Sequence, residues 1–127
     1  MTVEEKLNTH QDTDMKTTLT VEESQRLIEL GVDPKMASRE TFIFDKIFTL
    51  YDLLSILPKE IDGYELNMSA NKCEYFVSYI LWDTMDEGDY IKDILSFKQF
   101  SAPELIDALN QLLIWCLEQK IIKRKED

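Results

Sequence analysis

Glycine and proline are scarce in this chain. Three of each stand among 127 residues, so mostly regular elements joined by short connections are expected. The glycines, Gly31, Gly63 and Gly88, are isolated from one another. That excludes a glycine-rich phosphate loop. Histidine occurs once, as His10 in a polar N-terminal stretch, a poor place for a catalytic triad. The two cysteines, Cys73 and Cys116, lie far apart and form no Cys-x-x-Cys. They offer no disulfide framework and are expected to behave as small buried hydrophobes. Bases are short as well: 14 against 25 acids, a formal net charge of -11. Nucleic acid is a poor partner for such a chain, because binding needs Lys and Arg to neutralise phosphates. An anionic membrane surface is disfavoured on the same ground. No apolar run approaches the ~20 residues of a membrane span. The start lacks the basic region and apolar core of a secretion signal. A cytoplasmic location is expected.

What is present is an ordinary globular composition, 44% hydrophobic. A chain of this length fits one domain, and it buries roughly two-thirds of its unfolded surface without needing disulfides or metals. Besides Met1, residues 1–18 hold only Val3, Leu7 and Met15 as large apolar positions. They read as a disordered tail, with the domain spanning 19–127.

One phrase recurs three times: an apolar residue, then Thr or Ser, then an acid three positions on. It appears at Leu19-Thr20-Glu23, at Phe48-Thr49-Asp52 and at Phe100-Ser101-Glu104. The spacing is that of a capping box: the hydroxyl accepts from the third helical amide, and the acid reaches back to the cap's own amide. Phe48 with Leu53, and Phe100 with Leu105, add hydrophobic staples. The phrase therefore marks helix starts rather than a site used three times. Helices are expected over about 21–30, 50–57 and 102–120. Gly31 ends the first, and Pro58 shortens the second by biasing Leu57 away from helical geometry. Pro103 fits the first turn of the third, whose basic end suits the helix dipole.

Between the helices the pattern turns to strands. "YELNM" alternates, "CEYFVSYILW" is β-branched and aromatic, and "SANK" turns between them, giving an antiparallel hairpin over about 63–82. "TFIFDKIF" suggests a third strand over about 41–46. "DTMDEGDYIKDILSFKQF" reads as an acidic connection with a helical turn through Tyr90, Ile91, Ile94 and Leu95. The expected fold is α+β: a small antiparallel sheet packed against three helices.

The phrases "LTVEESQRLIELGVDPKMAS", "FTLYDLLSILPKEI" and "ELIDALNQLLIWCLEQK" resemble small uncharacterised proteins of Bacteroides-type gut bacteria and their phages or mobile elements. The resemblance covers most of residues 19–120. It implies the same order of segments and no assigned activity.

No constellation compels a chemistry, and catalytic, cofactor and metal residues are all expected to be none. Asp83, Asp86, Glu87, Asp89 and Asp93 are the densest acids. Their spacing fails a Ca²⁺ loop of the EF-hand type, which needs an acid where Met85 stands and a terminal Glu where Ile94 stands. The strand through Tyr75, Phe76, Tyr79 and Trp82 is apolar on both faces. The last helix is apolar on more than one side, with Ile114, Trp115 and Leu117 outside its main stripe. Tyr79, Trp82, Ile114, Trp115 and Leu117 are therefore candidate interface residues, and a homodimer is one expected outcome. The reading favoured is a non-catalytic interaction or accessory protein with an unknown protein partner. The alternatives are an acidic inhibitor that mimics nucleic acid and a small hydrolase.

Overall fold

Two of the three capping boxes form. The computed structural model describes residues 15–85 and 88–122, with the side chains of 84–90 excepted. Helix α1 (Val21–Glu29) starts where Thr20 Oγ1 accepts from the Glu23 amide at 3.1 Å and Glu23 accepts from the Thr20 amide at 2.9 Å. It ends at Gly31, whose φ of 115° is open to glycine at little cost. Helix α2 (Leu50–Ile56) starts on Thr49 and Asp52 in the same way and stops as Leu57 turns extended before Pro58. Phe48 and Leu53, the residues of its staple, are both fully buried in one core cluster.

The third phrase does something else. Ser101 lies in a strand, opposite Phe76, and Ala102 lies opposite Tyr75. Helix α3 (Leu105–Glu118) begins later, with Glu104 at its cap and no side-chain cap bond. Sheet pairing claimed the backbone of Ser101 before a helix could start there. Pro103 falls between strand and helix.

The main sheet is a four-stranded antiparallel meander, β3 (Glu60–Ile61), β4 (Tyr64–Ala70), β5 (Tyr75–Met85) and β6 (Gly88–Ala102), in chain order across the sheet. Asp62 and Gly63, with φ of 51° and 89°, make the two-residue turn between β3 and β4, in the paired left-handed conformation that matches strand twist. Asn71 holds the next turn by accepting from the amides of Cys73 and Glu74, both at 2.8 Å. Cys73 is thus exposed at a turn, contrary to expectation, while Cys116 is buried as expected.

Strand β6 is the main departure from the sequence reading, which placed an acidic connection and a helical turn there. Its residues pair along the whole of β5. The apolar β5 needed a partner on its free side, and Tyr90, Ile91 and Ile94 are good strand formers. The ladder shifts register twice, slightly at Lys92, between the pairs Leu81–Asp93 and Trp82–Ile91, and more widely around Tyr79. Ile80 pairs with Ile94 and Ser78 with Gln99, so residues 95–98 oppose Tyr79 alone as a large bulge.

The segment read as a third strand is instead a separate small hairpin. Strands β1 (Arg39–Glu40) and β2 (Lys46–Ile47) pair antiparallel, and 41–45 form the loop between them. On the other edge of the β2 segment, Leu19 donates to Phe48 O at 2.9 Å and Leu50 donates to Thr17 O at 2.8 Å. Order therefore begins before Leu19. Lys16 pairs with Glu23 at 3.3 Å and Asp107 at 2.7 Å, and its amide donates to Glu104 at 2.9 Å. The rest of the expected tail, residues 1–14, lies outside the described residues.

Helix α3 packs on β5 and β6 on one side and on α2 on the other. Ile106, Leu109 and Leu113 of its main stripe are buried, and of the residues outside it Leu117 is buried too, while Ile114 and Trp115 are half-buried. The fold is α+β, with three helices and two antiparallel sheets among the described residues.

The caps yield a contrast. Thr49→Ala should cost about 1 kcal/mol, whereas Ser101→Ala should change stability by less than about 0.5 kcal/mol, because its hydroxyl caps nothing. Urea melts of the two variants check this; equal losses would contradict the placement of Ser101 in the strand.

Candidate protein-interaction site

The loop between β1 and β2 is built to hold a shape. The Phe44 amide donates to Thr41 O at 2.9 Å, the Thr41 amide to Asp45 O at 2.9 Å, and the Asp45 amide to Thr41 Oγ1 at 3.1 Å. Three residues, Phe42, Ile43 and Phe44, make the tip. Such a three-residue hairpin loop places its last residue in the left-handed region, where glycine is usual. Here that residue is Phe44, with φ of 70°. A bulky side chain at such a φ is an outlier and carries strain. The strain purchases no packing: Phe42 is 94%, Ile43 63% and Phe44 76% exposed. Phe97, in the β6 bulge, repeats the combination with φ of 56° and 88% exposure.

The tip is fixed to the body through Asp52. This buried carboxylate sits at the start of α2, and its Oδ2 accepts from the Thr49 amide at 2.9 Å, the Ser38 amide at 2.8 Å and Ser38 Oγ at 2.9 Å. Ser38 immediately precedes β1, so one carboxylate ties both the entry of the hairpin and the start of α2. Burial alone would push the Asp52 carboxyl up. The amides of Thr49 and Ser38 outweigh burial and hold it below its ordinary value.

Among the described residues, two concavities bear on the site. An open groove of about 400 Å³ runs beside Thr17, Thr18, Ser38, Arg39, Thr49 and the exposed Tyr51. A hollow of about 230 Å³ is lined mainly by apolar side chains, Val32, Met36, Ile56, Leu117 and Ile122, with Asp33 and Ser55 contributing polar groups.

The five interface candidates from the sequence are not brought onto one face. Tyr79 and Leu117 are core residues, each about 1% exposed. The Tyr79 hydroxyl donates to Pro58 O at 2.7 Å, and burial, with Cys116 nearby, pushes its pKa up. Burial pushes the Cys116 thiol up to about 12, so it is an inert filler. Ile114 and Trp115 are half-buried against the core. Trp115 meets Phe100 with ring centroids 6.3 Å apart and an angle of 49°. Trp82 is the most exposed of the five, at 38%, beside its cross-strand neighbour Ile91 at 49%. Of the acidic run, Asp93 accepts from the Tyr64 hydroxyl at 2.6 Å, which raises the tyrosine's pKa; Asp86, Glu87 and Asp89 lie outside the described side chains. Among the described residues, no group of three or more His, Cys, Asp or Glu is placed to hold a metal ion. No described helix is long and apolar enough to cross a membrane.

The aromatic tip was missed in the sequence because its turn has no glycine. Thr41 and Asp45, polar residues bracketing three large apolar ones, were the available signal. Comparison with protein-family models, curated proteins and solved structures gives no match.

Two outcomes follow from the geometry. Phe44→Asn keeps the loop and relieves the left-handed strain, so it should raise stability by about 1 kcal/mol. A fall in thermal midpoint would contradict the strain argument. Asp52→Asn should cost about 2 kcal/mol near neutral pH, as expected for hydrogen bonds to a charged group. Because the folded-state pKa of Asp52 is depressed, its stabilisation is complete above the ordinary value of about 3.9. It is lost as pH falls through the lower folded value. Melts from pH ~7 down to pH ~2 should therefore show the wild type and Asp52→Asn converging; a constant gap would contradict it.

Proposed function

We propose that the protein is a non-catalytic interaction module and that Phe42, Ile43 and Phe44 are its anchor. One observation carries the reading: two phenylalanines and an isoleucine project from a closed, strained turn that glycine or asparagine would stabilise. A position where stability is given up to keep a large exposed aromatic fits a binding role, since aromatic anchors concentrate binding energy. The preformed loop adds to this, because an ordered anchor loses less entropy on docking. The net charge of -11 supports a protein pocket over an anionic bilayer as the receiver.

The test is a photoreactive side chain in place of Ile43, in cells that naturally make the protein, with a second at the exposed Met68 of β4 as control. A discrete protein adduct at 43, lost when Phe42→Ser is added, is the expected result. Adducts to lipid, or the same set at both positions, would refute the reading.

A further inference from the structure

We propose that the aromatic tip of one copy seats in the apolar hollow of a second copy, head to tail. This rests on the tip being a docking element and names its partner. The hollow and the tip match in size for one ring of the tip: about 230 Å³ is available, and a cavity of roughly 150 Å³ suffices for a benzene ring. They match in polarity, since five of the lining side chains are aliphatic or thioether and the tip is wholly apolar. The hollow faces solvent at Met36, 44% exposed, and at Ser55.

They also match in charge. Arg39 and Asp45 flank the tip; Asp33 lines the hollow and Lys35 stands two residues beyond it. None of the four is in an ion pair among the described residues. Docking sets one cation and one carboxylate of each copy against their opposites, which favours a single orientation.

Tip and hollow are different surfaces, so the contact is heterologous: each copy uses its tip on one neighbour and its hollow on the next. Such an array grows into a ring or an open chain. The contact is small, which places it among weak interfaces and requires high protein concentration.

The arrangement permits a complementation test by sedimentation and light scattering on the full chain. Wild type should grow beyond its 15.0 kDa mass as concentration rises towards ~1 mM, in the range of weak interfaces. Phe42→Ser, which removes a side chain that packs on nothing, should remain monomeric. Ser55→Arg, which fills the hollow, should also remain monomeric, with Met36→Glu as a second blocking variant if circular dichroism shows the first to be unfolded. Mixing the tip variant with either folded hollow variant should then give a species of twice the monomer mass and no larger, because one intact tip meets one intact hollow. A wild type that stays monomeric overturns self-docking, as does a mixture that stays monomeric or association that survives either variant. If self-docking fails while the cross-link at 43 still captures a distinct protein, the tip retains its role and only the partner changes.

Discussion

The clamp at Asp52 is the interaction on which the candidate site depends. A carboxylate is buried beneath the hairpin and stays charged because three donors converge on one of its oxygens. Two of those donors come from Ser38, just before β1, and one from Thr49, just before α2. The same residue therefore closes a helix start and fixes the direction in which the hairpin leaves the body. Without it, β2 would stay bonded to residues 17–19, but β1 would be held through its two-residue pairing with β2, and isolated two-stranded hairpins are marginal in water. An aromatic anchor on a wandering arm would lose much of its value, because ordering it on contact costs free energy.

Much of the architecture is legible in the sequence where local rules and tertiary demands agree. Thr20 with Glu23, and Thr49 with Asp52, spelled helix starts that form as written, and Gly31 and Pro58 spelled the ends. The β4–β5 hairpin followed from alternation and a turn. The reading broke where long-range pairing overruled a local signal. Ser101 had the residues of a cap, but its backbone was wanted by β5. Residues 83–100 looked like an acidic connection, yet β5 was apolar on both faces and needed a neighbour. The expected strand at 41–46 broke for the opposite reason. Phe42 and Phe44 alternate as a strand face would, but a tight turn with a phenylalanine in glycine's conformation has no propensity signal. Of the interface candidates, Leu117 and Tyr79 are buried within the chain itself, and sequence periodicity cannot separate such burial from burial by a second chain.

The surface combines exposure with restraint. Strand β6 is an edge, and an open edge invites pairing with other chains. Its bulge at 95–98 and the exposed Lys92 and Lys98 blunt that edge. The tip carries no such guard. The bulge also presents Phe97, so the sheet edge and the hairpin each carry an exposed phenylalanine in the left-handed region.

The most direct measurement is residue-level hydrogen exchange at the amides of Thr41 and Phe44, in the wild type and in Asp52→Asn. These amides close the tip, so their protection reports whether the loop is preformed and whether Asp52 holds it so. The account predicts protection in the wild type and selective loss in the variant, with the amides pairing β4 to β5 still protected. Unprotected tip amides in the wild type, or equal protection in both proteins, would contradict it.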